Sequence, residues 1–362
     1  MPASKNSSIS PDPHLWITIL AGGAGTRFWP VSTPRRPKQL LPLAGRNALI
    51  QDTVERAQEL ASEDRIRILT GAHLLLPFQE ALGGLASSSF LVEPQAKGTG
   101  PVLAWAAWTL HREDPDAVLV SLHADHAIRP VGAFQALMRV GSEMAREMDL
   151  LFTVAVPPTR PETGYGYIHP GETLPWEGEV EAFRVKSFVE KPDGPTAEEY
   201  VEAGYFWNSG IFLWKASVFL DEVRAVAPEL ASLLPLLEAG DVEGFFREAP
   251  VISVDEAVLE RSTRVASVRA TFQWDDVGAW EALSRTLPKD GNRNAVVGSA
   301  HLLDSSENIV MAEQGEVVLF GVEGLVVVRS GDIVLVADRR RTPDLKALLE
   351  ALPPHLRDPD AP

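Results

Sequence analysis

Residues 16–30 read Trp16-Ile17-Thr18-Ile19-Leu20-Ala21-Gly22-Gly23-Ala24-Gly25-Thr26-Arg27-Phe28-Trp29-Pro30, and the order of the rest of the chain follows from how they fold. The first five residues are an apolar run of strand length that opens directly into a glycine loop. This reads as a buried strand followed by a tight turn. Glycine amides can approach an anion closely, and Arg27 adds a cation beside them. The loop is not a Walker loop, because no Gly-Lys-Ser/Thr follows, and it departs from the dinucleotide fingerprint because Phe28 stands where a third small residue belongs.

Outward from this segment the pattern alternates. Ile50, Val54 and Ala57 recur at helical spacing within 48–60, and 66–70 is the next strand. Strands at 90–92, 117–122 and 151–156 then alternate with helices at 101–111 and 133–148. The order predicts an α/β, Rossmann-like, mainly parallel sheet flanked by helices. Strand-like runs at 179–189 and 210–214 make the sheet mixed. After Gly291 short Val-, Ile- and Leu-rich runs, at 317–320 and 324–328, are broken by Gly, Asp and Ser, and 344–352 reads as a closing helix. The expected organisation is a flexible tail at 1–13, a catalytic domain at 14–290, and a small β-rich C-terminal domain at 291–362. That last unit can pair subunits as a homodimer or fold back on its own chain.

Composition narrows the function. The 362 residues carry a net charge of −17, which opposes nucleic acid and anionic membrane surfaces, since such partners need a basic footprint. A small phosphate ligand is compatible, because local cations can dominate the field within a cleft. Cysteine is absent, so thiolate chemistry and Cys-ligated zinc are excluded and a reducing, cytoplasmic setting is expected. No stretch is long and apolar enough to span a bilayer.

Four further segments carry charge at places where ligands bind. Arg35-Arg36-Pro37-Lys38 adds cations to the glycine loop. Leu119-Val120-Ser121-Leu122-His123-Ala124-Asp125-His126 puts an acid just past a strand end, where open α/β sheets bind ligands; the alternative is a helix-capping Asp125 beside surface histidines. Gln273-Trp274-Asp275-Asp276-Val277-Gly278-Ala279-Trp280 supplies a second acidic pair, which could equally cap a helix. Val185-Lys186-Ser187-Phe188-Val189-Glu190-Lys191-Pro192 alternates as a strand and leaves Glu190 and Lys191 at its rim. Arg160-Pro161-Glu162-Thr163-Gly164-Tyr165-Gly166-Tyr167-Ile168 and Trp207-Asn208-Ser209-Gly210-Ile211-Phe212 combine small residues with groups suited to a sugar.

In this order the segments resemble the sugar nucleotidyltransferase family, and the last two, with Ser253-Val254-Asp255-Glu256-Ala257, its mannose-1-phosphate guanylyltransferase branch. The resemblance implies transfer of GMP from GTP to mannose 1-phosphate with Mg2+ as cofactor. It places the nucleotide at Ala21, Gly22, Gly23, Gly25, Thr26, Arg27, Lys38 and Asp125, and the sugar phosphate at Gly164, Glu190, Lys191 and Asn208. Arg27, Lys38, Asp125 and Asp276 are the implied catalytic set, with Asp125 and Asp276, rather than Asp275, holding the metal. The branch usually follows Glu-Pro with Arg-Asn-Thr-Ala-Pro, whereas this chain has Glu93-Pro94-Gln95-Ala96-Lys97-Gly98-Thr99-Gly100-Pro101. Glucose 1-phosphate with UTP or dTTP is therefore the alternative pair, and a catalytically silent nucleotide-sugar-binding regulator is the alternative class.

Overall fold

The computed structural model describes residues 12–23 and 26–357. The expected tail, residues 1–13, lies outside them except for Asp12 and Pro13, and so does Gly25 of the glycine loop. Among the described residues eleven strands precede the C-terminal unit: β1 Leu15–Leu20, β2 Ile66–Gly71, β3 Phe90–Glu93, β4 Val118–His123, β5 Ala127–Arg129, β6 Leu151–Val156, β7 Gly166–Thr173, β8 Ala182–Glu190, β9 Phe206–Lys215, β10 Val265–Arg269 and β11 Gln273–Asp275. Nine of them form one sheet in the order β3-β2-β1-β4-β9-β6-β10-β8-β7. Pairings β1–β2, β1–β4, β2–β3 and β6–β10 are parallel, while β8 and β9 run against their neighbours. The mixed, mainly parallel sheet expected from the sequence is present.

The mainly apolar character of β1, broken only by the buried Thr18, follows from burial on both sides. Leu15, Ile17 and Ile19 enter the layer packed by helices Leu49–Gln58, Ala72–Ala81 and Val131–Met148, and Trp16 and Leu20 enter the opposite layer with helices Thr99–Glu113 and Ala216–Val226. Strand period two sends alternate side chains to opposite faces. Among the described residues no helix is long and apolar enough to cross a membrane.

Two elements differ from the expectation at 160–168 and 66–92. The first, whose small residues and proline give no strand pattern, continues into β7, which pairs with β8 and β9 despite Pro170 and carries register shifts there. Pairing on both sides outweighs the turn-like composition. The second is helix Ala72–Ala81, which holds Pro77 within it and gives no clean helical pattern.

The C-terminal strands β12 Ala295–Leu303, β13 Ile309–Phe320, β14 Leu325–Ser330 and β15 Ile333–Asp338 form a separate four-stranded sheet. It folds back on its own chain. A third core joins Phe28, Trp29, Leu41 and Leu43, which follow the glycine loop, to Val277, Trp280 and Leu283 and to Ile309, Met311, Val326 and Val328. The β-rich unit therefore buttresses the two segments that flank the charged cleft.

Candidate active site

Two three-residue strands do the decisive positioning. β5 and β11 pair antiparallel with Ala127 opposite Asp275 and Arg129 opposite Gln273. Asp125 lies just before one strand and Asp276 just after the other, so the register brings residues far apart in sequence to the same end of the ribbon. Neither caps a helix.

Lys38 ties the ends together. Its Nζ lies 3.1 Å from Asp125 Oδ2 and donates to the backbone carbonyls of Asp276, at 3.1 Å, and Val277, at 3.3 Å. Gln39 Nε2 also donates to Asp125 Oδ2, at 3.3 Å, from a buried side chain. Arg27 Nη1 donates to the carbonyl of Gly278 at 3.3 Å. Both cations of the opening motif thus grip the Asp276–Gly278 turn. Ala21 is buried and donates its amide to Leu69, Gly22 and Gly23 are exposed, and Thr26 begins the short turn Thr26–Phe28. A Cβ on Gly22 would stand 3.2 Å from Glu93 Oε1, and one on Gly23 would stand 3.3 Å from Gln39 Nε2.

The Asp pair divides its work. Asp275 Oδ2 accepts from Arg285 Nε at 2.6 Å, and Oδ1 accepts from Arg285 Nη2 and the Val277 amide. It is a buried anchor. Asp276 Oδ1 accepts from Tyr165 Oη at 2.6 Å and from the Gly278 amide at 3.1 Å. These successive side-chain-to-backbone bonds hold Val277 at φ 47°, a conformation uncommon for a β-branched residue. Such backbone strain concentrates at functional sites.

His123, Asp125 and His126 present possible ligand atoms within 4.8 Å of one another. The chemistry of the donors narrows that group. His126 Nδ1 accepts from Trp274 Nε1 at 3.0 Å, which leaves its proton on the other nitrogen of the neutral ring. Burial pushes the pKa of both imidazoles down, and the charge of Asp125 opposes this only in part at His123. The rings stack with centroids 4.6 Å apart. His123 also fits against β9 because Gly210, at φ 69°, has no Cβ; one would lie 2.8 Å from His123 Nε2. His126 is thus engaged by Trp274, and His123 stacks on it beside Asp125.

A second cluster is tied to the first through Tyr165, whose hydroxyl donates to Asp276 Oδ1 and whose carbonyl accepts from the Lys191 amide. Lys191 Nζ pairs with Glu190 Oε1 at 2.6 Å, and Lys191 sits at φ 46° with its amide donating to the carbonyl of Tyr165. Asn208 is held at both ends: Oδ1 accepts from Thr153 Oγ1 at 2.6 Å and Nδ2 donates to Asp255 Oδ1 at 2.9 Å. Burial first, and the charge of Glu190 second, push Asp255 up to about 7. Gly164 lies on an exposed turn whose amide donates to Glu162 Oε1. Gln39, Thr153, Tyr165 and Asp255 are polar members of the site that the sequence alone does not assign to it. Asp255 stands within a quoted segment, and Gln39 follows the Pro-Lys pair directly.

Residues 17–293 match the nucleotidyl transferase family, and residues 298–352 match the mannose-phosphate isomerase/GMP-like β-helix domain. The chain belongs to the nucleotidyl transferase family. Relatives within it include mannose-1-phosphate guanylyltransferases of Escherichia coli and Klebsiella pneumoniae, each 35% identical over 350 residues, or 93% of this chain and 74% of theirs. A crystal structure from Thermus thermophilus, described as a mannose-1-phosphate geranyltransferase, superimposes with a TM-score of 0.84 at 33% identity, covering 93% of this chain and 100% of that one. For this nucleotidyl transferase, the similarity to these proteins spans the catalytic sheet and the C-terminal strands alike.

Proposed function

We infer that this chain transfers GMP from GTP to mannose 1-phosphate, giving GDP-mannose and pyrophosphate. The observation that carries the reading is the contact of Lys38 with Asp125 and with the Asp276–Gly278 turn, in a family whose similar members are named for this activity. A phosphate oxygen of mannose 1-phosphate attacks the α-phosphorus of GTP, a new P–O bond forms, and the bond to the β-phosphate bridging oxygen breaks. The nucleophile is already ionised, so no residue has to remove a proton, and catalysis rests on positioning and charge neutralisation. Arg27 and Lys38 neutralise the departing pyrophosphate, with Ala21, Gly22, Gly23, Gly25 and Thr26 around the nucleotide. Lys191 holds the attacking phosphate, while Glu190, Asn208 and Gly164 face the sugar.

The residues fit magnesium, which takes oxygen ligands and commonly one or two carboxylates with phosphate oxygens and water. Asp125 and Asp276 are the oxygen donors at one end of the β5–β11 ribbon, whereas Asp275 is engaged by Arg285. Bound there, magnesium supplies charge neutralisation for the reacting phosphates. The catalytic unit is taken as 14–290 and the β-rich unit as 291–362. Exposed Val318, Phe320, Val334 and Val336 on the latter give a homodimer a natural contact. The acidic surface and a chain without cysteine suit the cytoplasm. Asp125→Asn tests the site: pyrophosphate release should fall by at least about 100-fold at any magnesium concentration, as for loss of a group stabilising the transition state. Full magnesium-dependent turnover would remove Asp125 from the metal site.

A further inference from the structure

Tyr165 joins the two clusters. Its hydroxyl donates to Asp276 Oδ1 at 2.6 Å, and its backbone carbonyl accepts from the amide of Lys191 at 3.2 Å. The ring has little freedom. It meets Trp207 edge-on at 5.2 Å and Trp274 at 5.1 Å, and the Arg160 guanidinium lies 5.8 Å from its centroid and donates to the hydroxyl at 3.4 Å. The phenol therefore accepts from Arg160 and gives its single proton to Asp276.

The consequence falls on the geometry of the carboxylate. Oδ1 already has two donors, Tyr165 Oη and the Gly278 amide. Oδ2 stands over Gly278, so close that a Cβ there would lie 2.7 Å from it. A carboxylate fixed in this way has one oxygen committed to the protein and one available for a cation.

We propose that Tyr165 is a positioning residue that sets Asp276 as a one-oxygen metal ligand through Oδ2 and links it to the segment holding the sugar phosphate at Lys191. The proposal rests on Asp276 binding the metal, as read above. Partners that orient a metal-binding carboxylate are commonly worth about 10- to 100-fold in metal affinity. The ring supplies the packing and the hydroxyl the orientation, so Tyr165→Phe separates the two roles.

The experiment measures Tyr165→Phe, Asp276→Asn and the unaltered chain in two ways: Mn2+ titration with free ion counted by electron paramagnetic resonance, and the Mg2+ concentration giving half-maximal pyrophosphate release. Thermal melting checks that each variant folds. The expected result for Tyr165→Phe is about a 10-fold higher half-maximal Mg2+ concentration, with weaker Mn2+ binding and with kcat largely restored at saturating metal. A Tyr165→Phe variant whose metal dependence stays within about twofold, whatever its kcat, overturns the proposal while Asp276→Asn still loses metal dependence. If Asp276→Asn itself keeps the normal metal dependence, the underlying assignment of Asp276 fails, and the proposal with it.

Discussion

Replacing Asp255 by asparagine should stabilise the protein at pH 8 and leave it almost unchanged at pH 4. The Asp255 carboxyl accepts from Asn208 Nδ2 at 2.9 Å, and burial together with neighbouring Glu190 raises its pKa from the ordinary 3.8 to about 7. Below 3.8 the group is protonated whether the chain is folded or not. Between 3.8 and about 7 the unfolded chain ionises the group while burial beside another carboxylate keeps it protonated in the folded chain, so the stability present at low pH is lost over that window and is gone above about 7. The gap between the two pKa values corresponds to about 4 kcal/mol as a ceiling. Solvent reaches part of the side chain, so about 2 kcal/mol is the expected gain. Asparagine has the same shape, and its Oδ1 can still accept from Asn208. For a domain of this size the gain appears as a rise in melting temperature of about 3–4 °C at pH 8. Calorimetry at both pH values checks it. A gain of equal size at pH 4, or a loss at pH 8, would refute the electrostatic reasoning. The same substitution should raise KM for mannose 1-phosphate, because a carboxylate held at such a cost beside Glu190 and Lys191 is placed to accept hydrogen bonds from sugar hydroxyls.

Two other substitutions probe the nucleotide side. Lys38→Met removes the cation that touches both Asp125 and the Asp276–Gly278 turn; kcat should fall about 100- to 1000-fold, and urea unfolding should show about 1–3 kcal/mol of lost stability from the orphaned groups. Gly278→Ala places a Cβ 2.7 Å from Asp276 Oδ2. The bonds from Tyr165 Oη and the Gly278 amide hold that carboxylate, so admitting the methyl displaces it: the melting temperature should fall, and the magnesium needed for half-maximal turnover should rise about 10-fold or more.

Much of this arrangement is legible in the sequence because long elements announce themselves by periodicity. The strand expected at 151–156 is β6 with the same bounds, and the helix within 48–60 is Leu49–Gln58. The segments carrying Arg27, Lys38, Asp125 and Asp276 stand out as well, since charge at strand ends in an acidic chain is conspicuous. Their meeting is not readable. It depends on β5 and β11, three residues each, too short for any periodic signal and paired across a long stretch of sequence. Tyr165 escapes for a related reason: its hydroxyl is defined by Asp276 in space, while in sequence it looks like one aromatic residue in a glycine-bearing turn. Strand β7 is hidden by Gly166, Pro170 and Gly171, whose turn-like character is overridden by partners on both sides.

The central claim is tested most directly by mixing the protein with magnesium, mannose 1-phosphate and each nucleoside triphosphate in turn, repeating the series with glucose 1-phosphate, and following pyrophosphate release. Release that requires both GTP and mannose 1-phosphate is the predicted result. Release only with UTP or dTTP and glucose 1-phosphate would contradict the substrate assignment, and no release with any pair would contradict the catalytic reading itself.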